Sequence, residues 1–343
     1  MLEEKIKAEA YDLGFVAVGF CEPDTDIGYA HYLAWLESGR HASMAYLARP
    51  DLVKRRESAR SILPDCQTVI SLAFPYPPPD QQQPLEKQGS IAAYALFRDY
   101  HLQLTQKAAF LSEKIEELAG VPVRSQVCVD TAPILEKGYA QQAGLGWIGR
   151  NSLLLHPDYG SFLFLAEVLV NLPLKPDSPF ELDGCGSCQR CVQACPTQAI
   201  MPDRSIDARR CLSFLTIENR SEIPSEFRRA SGNRVFGCDT CQSVCPYNAR
   251  LPRIIAHQEF ERVISAHPEL AASLVIKSNE FSDYYGKTPV TRAKLQGFRR
   301  NAAIAIGNSS KKDFVPLLEK ALVSESDPIV ADAIQWALNE LNS

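Results

Sequence analysis

Eight of the eleven cysteines lie between Cys185 and Cys245, and their spacing is the first feature able to do chemistry. One group reads Cys185-Gly-Ser-Cys188-Gln-Arg-Cys191-Val-Gln-Ala-Cys195-Pro196, and the other comprises Cys211 and Cys238-Asp-Thr-Cys241-Gln-Ser-Val-Cys245-Pro246. A reducing cytosol keeps thiols free, so clustered cysteines point to metal ligation or catalysis rather than to disulfides. Two four-cysteine zinc sites are one reading, but zinc ribbons separate two C-x2-C knuckles and have no use for two C-x3-C-Pro endings. Cys21, Cys66 and Cys128 stand apart in apolar or strand-like surroundings and read as core thiols.

The first group resembles the C-x2-C-x2-C-x3-C-Pro run of bacterial two-cluster ferredoxins, whose fourth cysteine serves the other cluster. On that rule Cys185, Cys188, Cys191 and Cys245 hold one 4Fe-4S cluster. Cys195, Cys211, Cys238 and Cys241 hold the other, with Cys211 assigned by elimination. Two such clusters in series form an electron wire. About 180 residues precede it and about 95 follow, so other parts of the chain must hold the chemistry that the wire feeds.

Asp130 ends an apolar strand in Val127-Cys-Val-Asp130-Thr-Ala-Pro133. Spacing alone favours a helix cap by Asp130 or Thr131, with Pro133 in the first turn. A carboxyl at a strand end is also a candidate proton donor, provided burial or a nearby negative charge keeps it protonated. Gly144-Leu-Gly146-Trp-Ile-Gly149 satisfies G-x-G-x-x-G, yet it follows a helix and runs into Asn151-Ser-Leu-Leu-Leu155, the reverse of a dinucleotide loop. We read it as a turn packed against a flat ligand or another backbone. The six histidines show no H-x3-H spacing, which argues against a zinc enzyme. Asp99-Tyr-His101 begins like the D-x-H-x-x-G signature of base-off corrinoid proteins, but Leu104 replaces the glycine, so His101 reads as structural.

The elements that must position these residues alternate. Helices are expected over Leu2–Leu13, Tyr29–Ser38, Tyr100–Ala119 and Pro133–Ala143, and strands over Val16–Phe20, Thr68–Phe74, Ser125–Val129 and Gly160–Val170. That order implies an α/β domain, with Pro75–Pro84 as a surface loop. After Pro246 the pattern turns helical, and Gly297–Gly307, Phe314–Leu322 and Asp327–Leu338 look like paired helices of a HEAT-type repeat. At 343 residues, with 45% hydrophobic and 22% charged side chains, the chain is a folded protein of two or three domains. No signal peptide or membrane-length apolar run is present, which makes the cytoplasm the expected compartment. A net charge of −5 excludes global basicity. Lys287–Lys312 nevertheless holds seven Lys or Arg and no Asp or Glu, and Arg209, Arg210, Arg220, Arg228, Arg229 and Arg234 add to it. A solvated basic face is the bland reading of that excess, and a nucleic-acid footprint, with Arg299 and Arg300 in it, is the functional one.

Taken together the chain resembles the epoxyqueuosine reductases, cobalamin-dependent iron–sulfur enzymes of tRNA queuosine synthesis. The residues that carry the resemblance are Val129-Asp130-Thr131, Ala143 through Asn151, Tyr159-Gly-Ser-Phe162, Ala166-Glu167, Cys211-Leu-Ser-Phe-Leu-Thr216, Gly232 through Gln242, and both cysteine groups. The resemblance implies a nitroreductase-like cobalamin-binding α/β domain over 1–175, a ferredoxin-like two-cluster module over 176–250, and HEAT-like, tRNA-contacting helices over 251–343. It implies Asp130 as proton donor, with Arg56, Asp130, Leu154, Ser213, Asp239 and Thr240 on the corrinoid. The implied reaction removes the epoxide oxygen of epoxyqueuosine at the wobble position of the tRNAs for Tyr, His, Asn and Asp. A cytoplasmic monomer fed by an external low-potential electron donor would perform it. In Ile91-Ala-Ala-Tyr94-Ala95, Ala93 stands where the family commonly has Arg, so one polar contact is expected to be missing. The alternatives are a dehalogenase-like corrinoid reductase and a cobalamin-handling electron carrier.

Overall fold

The computed structural model describes residues 1–79, 84–250 and 261–343. The centre of the expected Pro75–Pro84 loop, and 251–260 with His257, lie outside the described residues. Four antiparallel strands form the main sheet in the order Ala17–Cys21, Thr68–Pro75, Leu163–Val170, Ser125–Cys128. Thr68–Pro75 reads as an unbroken apolar run because helices cover both faces of the sheet. Its alternate side chains part accordingly. Ile70, Leu72 and Phe74 join a cluster with Ile6, Leu104, Leu111 and Ile115, whereas Val69 and Ala73 join Tyr139, Ala140 and Leu169. The helices Leu2–Asp12 and Tyr100–Ala119 therefore cover one face and Glu136–Gln142 the other.

The expected elements lie within a residue or two of the observed ones, with three informative exceptions. The Pro133–Ala143 helix starts only at Glu136, because Thr131 N–H bonds Val129 O at 2.5 Å and Ile134 N–H bonds Ala132 O at 2.8 Å, winding 129–134 into tight turns. Leu135 is the N-cap, so neither Asp130 nor Thr131 caps that helix. The strand expected from Gly160 begins at Leu163, since Gly160 is engaged with His156 in an isolated bridge. The apparent Asn151–Leu155 strand shrinks to Leu154–Leu155, paired antiparallel with Trp147–Ile148. The glycine run thus lies in a helix-to-hairpin connection, where a Cβ on Gly146 would stand 2.1 Å from Leu155 O. Those glycines accommodate another backbone rather than a dinucleotide.

Ser90–Ile91 pairs in parallel with Arg234–Phe236, stitching the first half of the chain to the cysteine-rich segment. The largest apolar cluster runs from Ile6 to Leu341 and includes Leu212, Val235 and Ile304. In the C-terminal part, Lys294–Asn308 packs on Pro328–Asn342, so closely that a Cβ on Gly307 would lie 2.7 Å from the Trp336 ring. Among the described residues no helix is long and apolar enough to cross a membrane.

The structure corrects the expected basic face. Arg300 is 1% exposed and donates to Leu215 O at 2.6 Å, Asn219 O at 3.0 Å, Ser221 O and Asn301 Oδ1. Arg299 donates to Leu274 O at 2.6 Å and pairs with Glu325 at 2.5 Å. Arg228, Arg229 and Arg292 pair with Asp332, Glu340 and Glu218. Most of the run therefore serves internal contacts, while Lys287, Lys294 and Lys312 stay exposed. Removing the Arg300 guanidinium strands several buried carbonyls, so Arg300→Met is expected to lower stability by about 3 kcal/mol or more. Exposed Lys312→Met should stay within about 0.5 kcal/mol. Thermal unfolding of the two variants side by side checks this.

Candidate active site and cluster loops

The short helices Arg190–Ala194 and Thr240–Ser243 pack together. Within three residues of its end each is followed by a cysteine and then a proline, Pro196 or Pro246, which cannot continue the helical hydrogen bonds. All eight clustered cysteines are free. Burial raises the Cys191 thiol, and Cys185, Cys245 and Cys188 raise it further. Burial pushes Cys211 up to about 11, with Cys238 and Cys195 adding to it. Cys241 is raised by burial and then by Cys238 and Cys211. The two groups of thiols thus lie close enough to act on one another. Among the described residues no three such side chains form a closed metal-ligand geometry. What the fold brings together is a sulfur-rich donor set with N–H groups directed at it, as iron–sulfur ligation requires. Trp147 Nε1 lies 3.5 Å from Cys185 Sγ, and Ala199 N lies 3.2 Å from Cys195 Sγ. Cys21, Cys66 and Cys128 are buried core thiols, as expected.

Asp130 follows the strand Ser125–Cys128 with φ +49°. Its Oδ2 meets His101 Nε2 at 2.9 Å, and His101 Nδ1 meets Asp99 Oδ1 at 2.6 Å. Asp99 caps the Tyr100–Ala119 helix by accepting His101 N–H, which sets acid and imidazole side by side on its first turn. The Tyr100 ring stacks between His101, at 4.2 Å, and Phe164, at 4.1 Å, and its phenol also bonds Asp130. Hydrogen bonds to Asp130 and Asp99 raise His101 to about 9, so the ring is an imidazolium at neutral pH. Burial does not enclose the acid: the Asp130 side chain is 55% exposed, and it faces a proton-holding histidine. Leu104, whose place in the signature makes His101 read as structural, lies fully buried in the core one turn along the helix. The available signal was Asp99-Tyr-His101 at a helix start.

Glu136 and Lys137 are reached by solvent, yet burial pushes Glu136 up to about 8 and lowers Lys137. Tyr94, 6.4 Å from the Tyr100 ring, has its phenol raised first by burial and then by Asp239, Tyr76 and Asp130. Asp239 accepts Ala93 N–H at 2.8 Å, and burial raises it to about 6. Thr240 accepts from Arg234 at 2.8 Å, and Ser213 is partly exposed two residues after Cys211. Ala93, held by Asp239, thus lies beside the Cys238 and Cys241 loop. Arg56 and Leu154 also make protein contacts. Arg56 is 8% exposed, lies 5.7 Å over the Tyr32 ring and donates to Leu52 O. The Leu154 side chain is 4% exposed within the second apolar cluster. Ala93 is 1% exposed and acts here through its N–H.

The chain as a whole is similar to known proteins. A model described as a 4Fe-4S double cluster binding domain matches residues 184–248, and one described as epoxyqueuosine reductase QueG matches residues 56–131. The epoxyqueuosine reductase of Pseudomonas aeruginosa is 38% identical over 98% of this chain and 94% of its own. The epoxyqueuosine reductase structure from Streptococcus thermophilus superposes with a TM-score of 0.89 at 30% identity, covering 99% of this chain and 90% of that one. A crystal structure of an epoxyqueuosine reductase with an epoxyqueuosine-modified tyrosine tRNA stem loop gives 0.86 at 28% identity, covering 100% and 99%. On this likeness along nearly its whole length, the chain belongs to the epoxyqueuosine reductase family of oxidoreductases.

Proposed function

We propose that this protein reduces epoxyqueuosine in tRNA to queuosine, with Asp130 as the acid and the cysteine loops as the electron path. The observation that carries the reading is the Asp99–His101–Asp130 hydrogen-bonded chain, which ends on a solvent-exposed Asp130 carboxyl. A relative solved with an epoxyqueuosine-modified stem loop supports the substrate. The donor set fits two 4Fe-4S clusters, held by Cys185, Cys188, Cys191 and Cys245 and by Cys195, Cys211, Cys238 and Cys241. Tyr94, Ser213, Asp239 and Thr240 fit the walls of a cobalamin site between the second set and Asp130. Bound there, the clusters and the corrinoid supply low-potential electrons to the epoxide carbon.

The proton side belongs to the chain. Converting an epoxide to an alkene takes two electrons and two protons, and both protons end on the same oxygen, which leaves as water. A single carboxyl must therefore be recharged between transfers. His101 is placed to do this, holding a proton on the hydrogen bond to Asp130 Oδ2 while Asp99 fixes the other ring nitrogen. Asp239, raised by burial to about 6, holds Ala93 N–H beside the second cysteine pair. Arg292 sits 5.7 Å over the half-exposed Tyr46 ring and is anchored to Glu218 at 2.7 Å. We read residues 1–175 as the nitroreductase-like substrate and corrinoid region, 176–250 as the wire, and 251–343 as HEAT-like helices beside the tRNA. The working form is a cytoplasmic monomer that draws on an external low-potential donor.

Anaerobic incubation of reconstituted protein with epoxyqueuosine-containing tRNA and a strong reductant should yield queuosine by nucleoside mass spectrometry only when cobalamin is added. Asp130→Asn is expected to slow conversion by about 100-fold or more. Conversion without cobalamin, or at the parent rate in that variant, would sink this reading. The rate should also fall as pH rises through about 9, where the imidazolium is lost, and His101→Gln should remove that limb. Iron analysis provides a further check: Cys241→Ser should take the protein from about eight irons to about four.

A further inference from the structure

Asp130 is one of the few non-glycine residues with positive φ, and a side chain held in that left-handed region drifts to other conformations unless its surroundings fix it. Its side chain meets His101, and its own backbone N–H is held by a reach across the turn. The Asp130 N–H donates to Glu136 Oε1 at 2.6 Å, over the span Thr131–Leu135, which has no regular structure. Glu136 is itself well founded. It opens the Glu136–Gln142 helix, which is anchored by Tyr139, fully buried, whose hydroxyl donates to Pro23 O at 2.8 Å and accepts Ala59 N–H at 2.7 Å. Through that carboxyl oxygen the Asp130 backbone is tied to the buried Glu136–Gln142 helix.

We propose that Glu136 is the positioning residue for Asp130: by accepting its N–H it holds the left-handed turn, and so keeps the Asp130 carboxyl within reach of His101 Nε2 and the substrate oxygen. The role needs an acceptor oxygen and not a proton, because a neutral acid and a carboxylate both accept an N–H. It rests on the reading of Asp130 as the acid.

Two variants of similar volume separate the possibilities. Glu136→Gln keeps the acceptor and loses the proton, whereas Glu136→Met fills the space and loses both. Hydrogen–deuterium exchange on peptides spanning 129–135 of the cluster-loaded protein should show the Asp130 amide protected in the parent and in E136Q. In E136M it should exchange at least about tenfold faster. With saturating epoxyqueuosine tRNA, E136M should lose about 100-fold in kcat with KM little changed, and E136Q should stay near the parent. Iron content and thermal midpoint confirm that each variant is folded. An unprotected Asp130 amide in the parent overturns the proposal, as does normal turnover by E136M. So does an E136Q protein as slow as E136M with its amide still protected, since Glu136 would then act through its proton. If the parent itself converts no substrate, the reading of Asp130 fails, and the exchange pattern alone decides the role of Glu136.

Discussion

A short seam sets the distance between acid and sulfur on which everything else in this molecule depends. Ser90–Ile91 lies parallel to Arg234–Phe236, and immediately beyond it Ala93 N–H holds the Asp239 carboxyl. The seam joins residues about 145 apart in sequence and places Ala93 against the other half's cysteine loop. In the proposed reaction protons would come from the sheet side, through Asp99, His101 and Asp130, and electrons from the loop side. A shift of the seam would leave both machines whole and separate them, and positioning of that kind accounts for a large share of enzymic rate.

The same molecule manages charge by locking it away. Arg300 lies within the apolar core with no carboxylate on it and is satisfied by backbone carbonyls, so burial and the nearby Arg220 and Arg228 lower it to about 10. Five planar donors suit that task better than an ammonium would. Glu167, fully buried on the sheet opposite Ser71, is the acidic counterpart, and burial raises its carboxyl well above the ordinary range. In both places the sequence spends a charged residue type on an interior contact, which a reading of surface charge does not anticipate.

That explains which parts were legible in the sequence. The cysteines were, because thiol spacing is local and ligand geometry constrains it tightly. The sheet strands and long helices were, because their apolar periods follow from two covered faces. Asp130 was legible only through the family resemblance, since a strand-end Asp before Thr-Ala-Pro is an equally good cap by spacing; its real partners, His101 and Glu136, lie 29 and 6 residues away. The basic run misled because its partners carry no local signal. Glu325, Glu218, Asp332 and Glu340 are remote or across the fold, and the carbonyls that Arg300 caps belong to every residue type. The hint that remained was Arg300-Asn301 running directly into the apolar stretch Ala302–Ile306 of the same helix, a pattern of interior satisfaction rather than of a solvated face.

Asn301 shares in that arrangement, donating to Thr216 O and Val235 O at 2.8 Å each. Cys211 stands at the start of the Leu212–Ile217 helix, whose carbonyl end these two side chains close. The cysteine-rich segment is therefore not a ferredoxin inserted between two independent neighbours. Excised along its sequence boundaries, it would leave open the helix that presents one of its own thiols. In evolutionary terms the C-terminal helices and the wire are one inheritable unit: a recombination event that moved the cysteines to a new host would have to move Arg300 and Asn301 with them, or find another way to finish that helix.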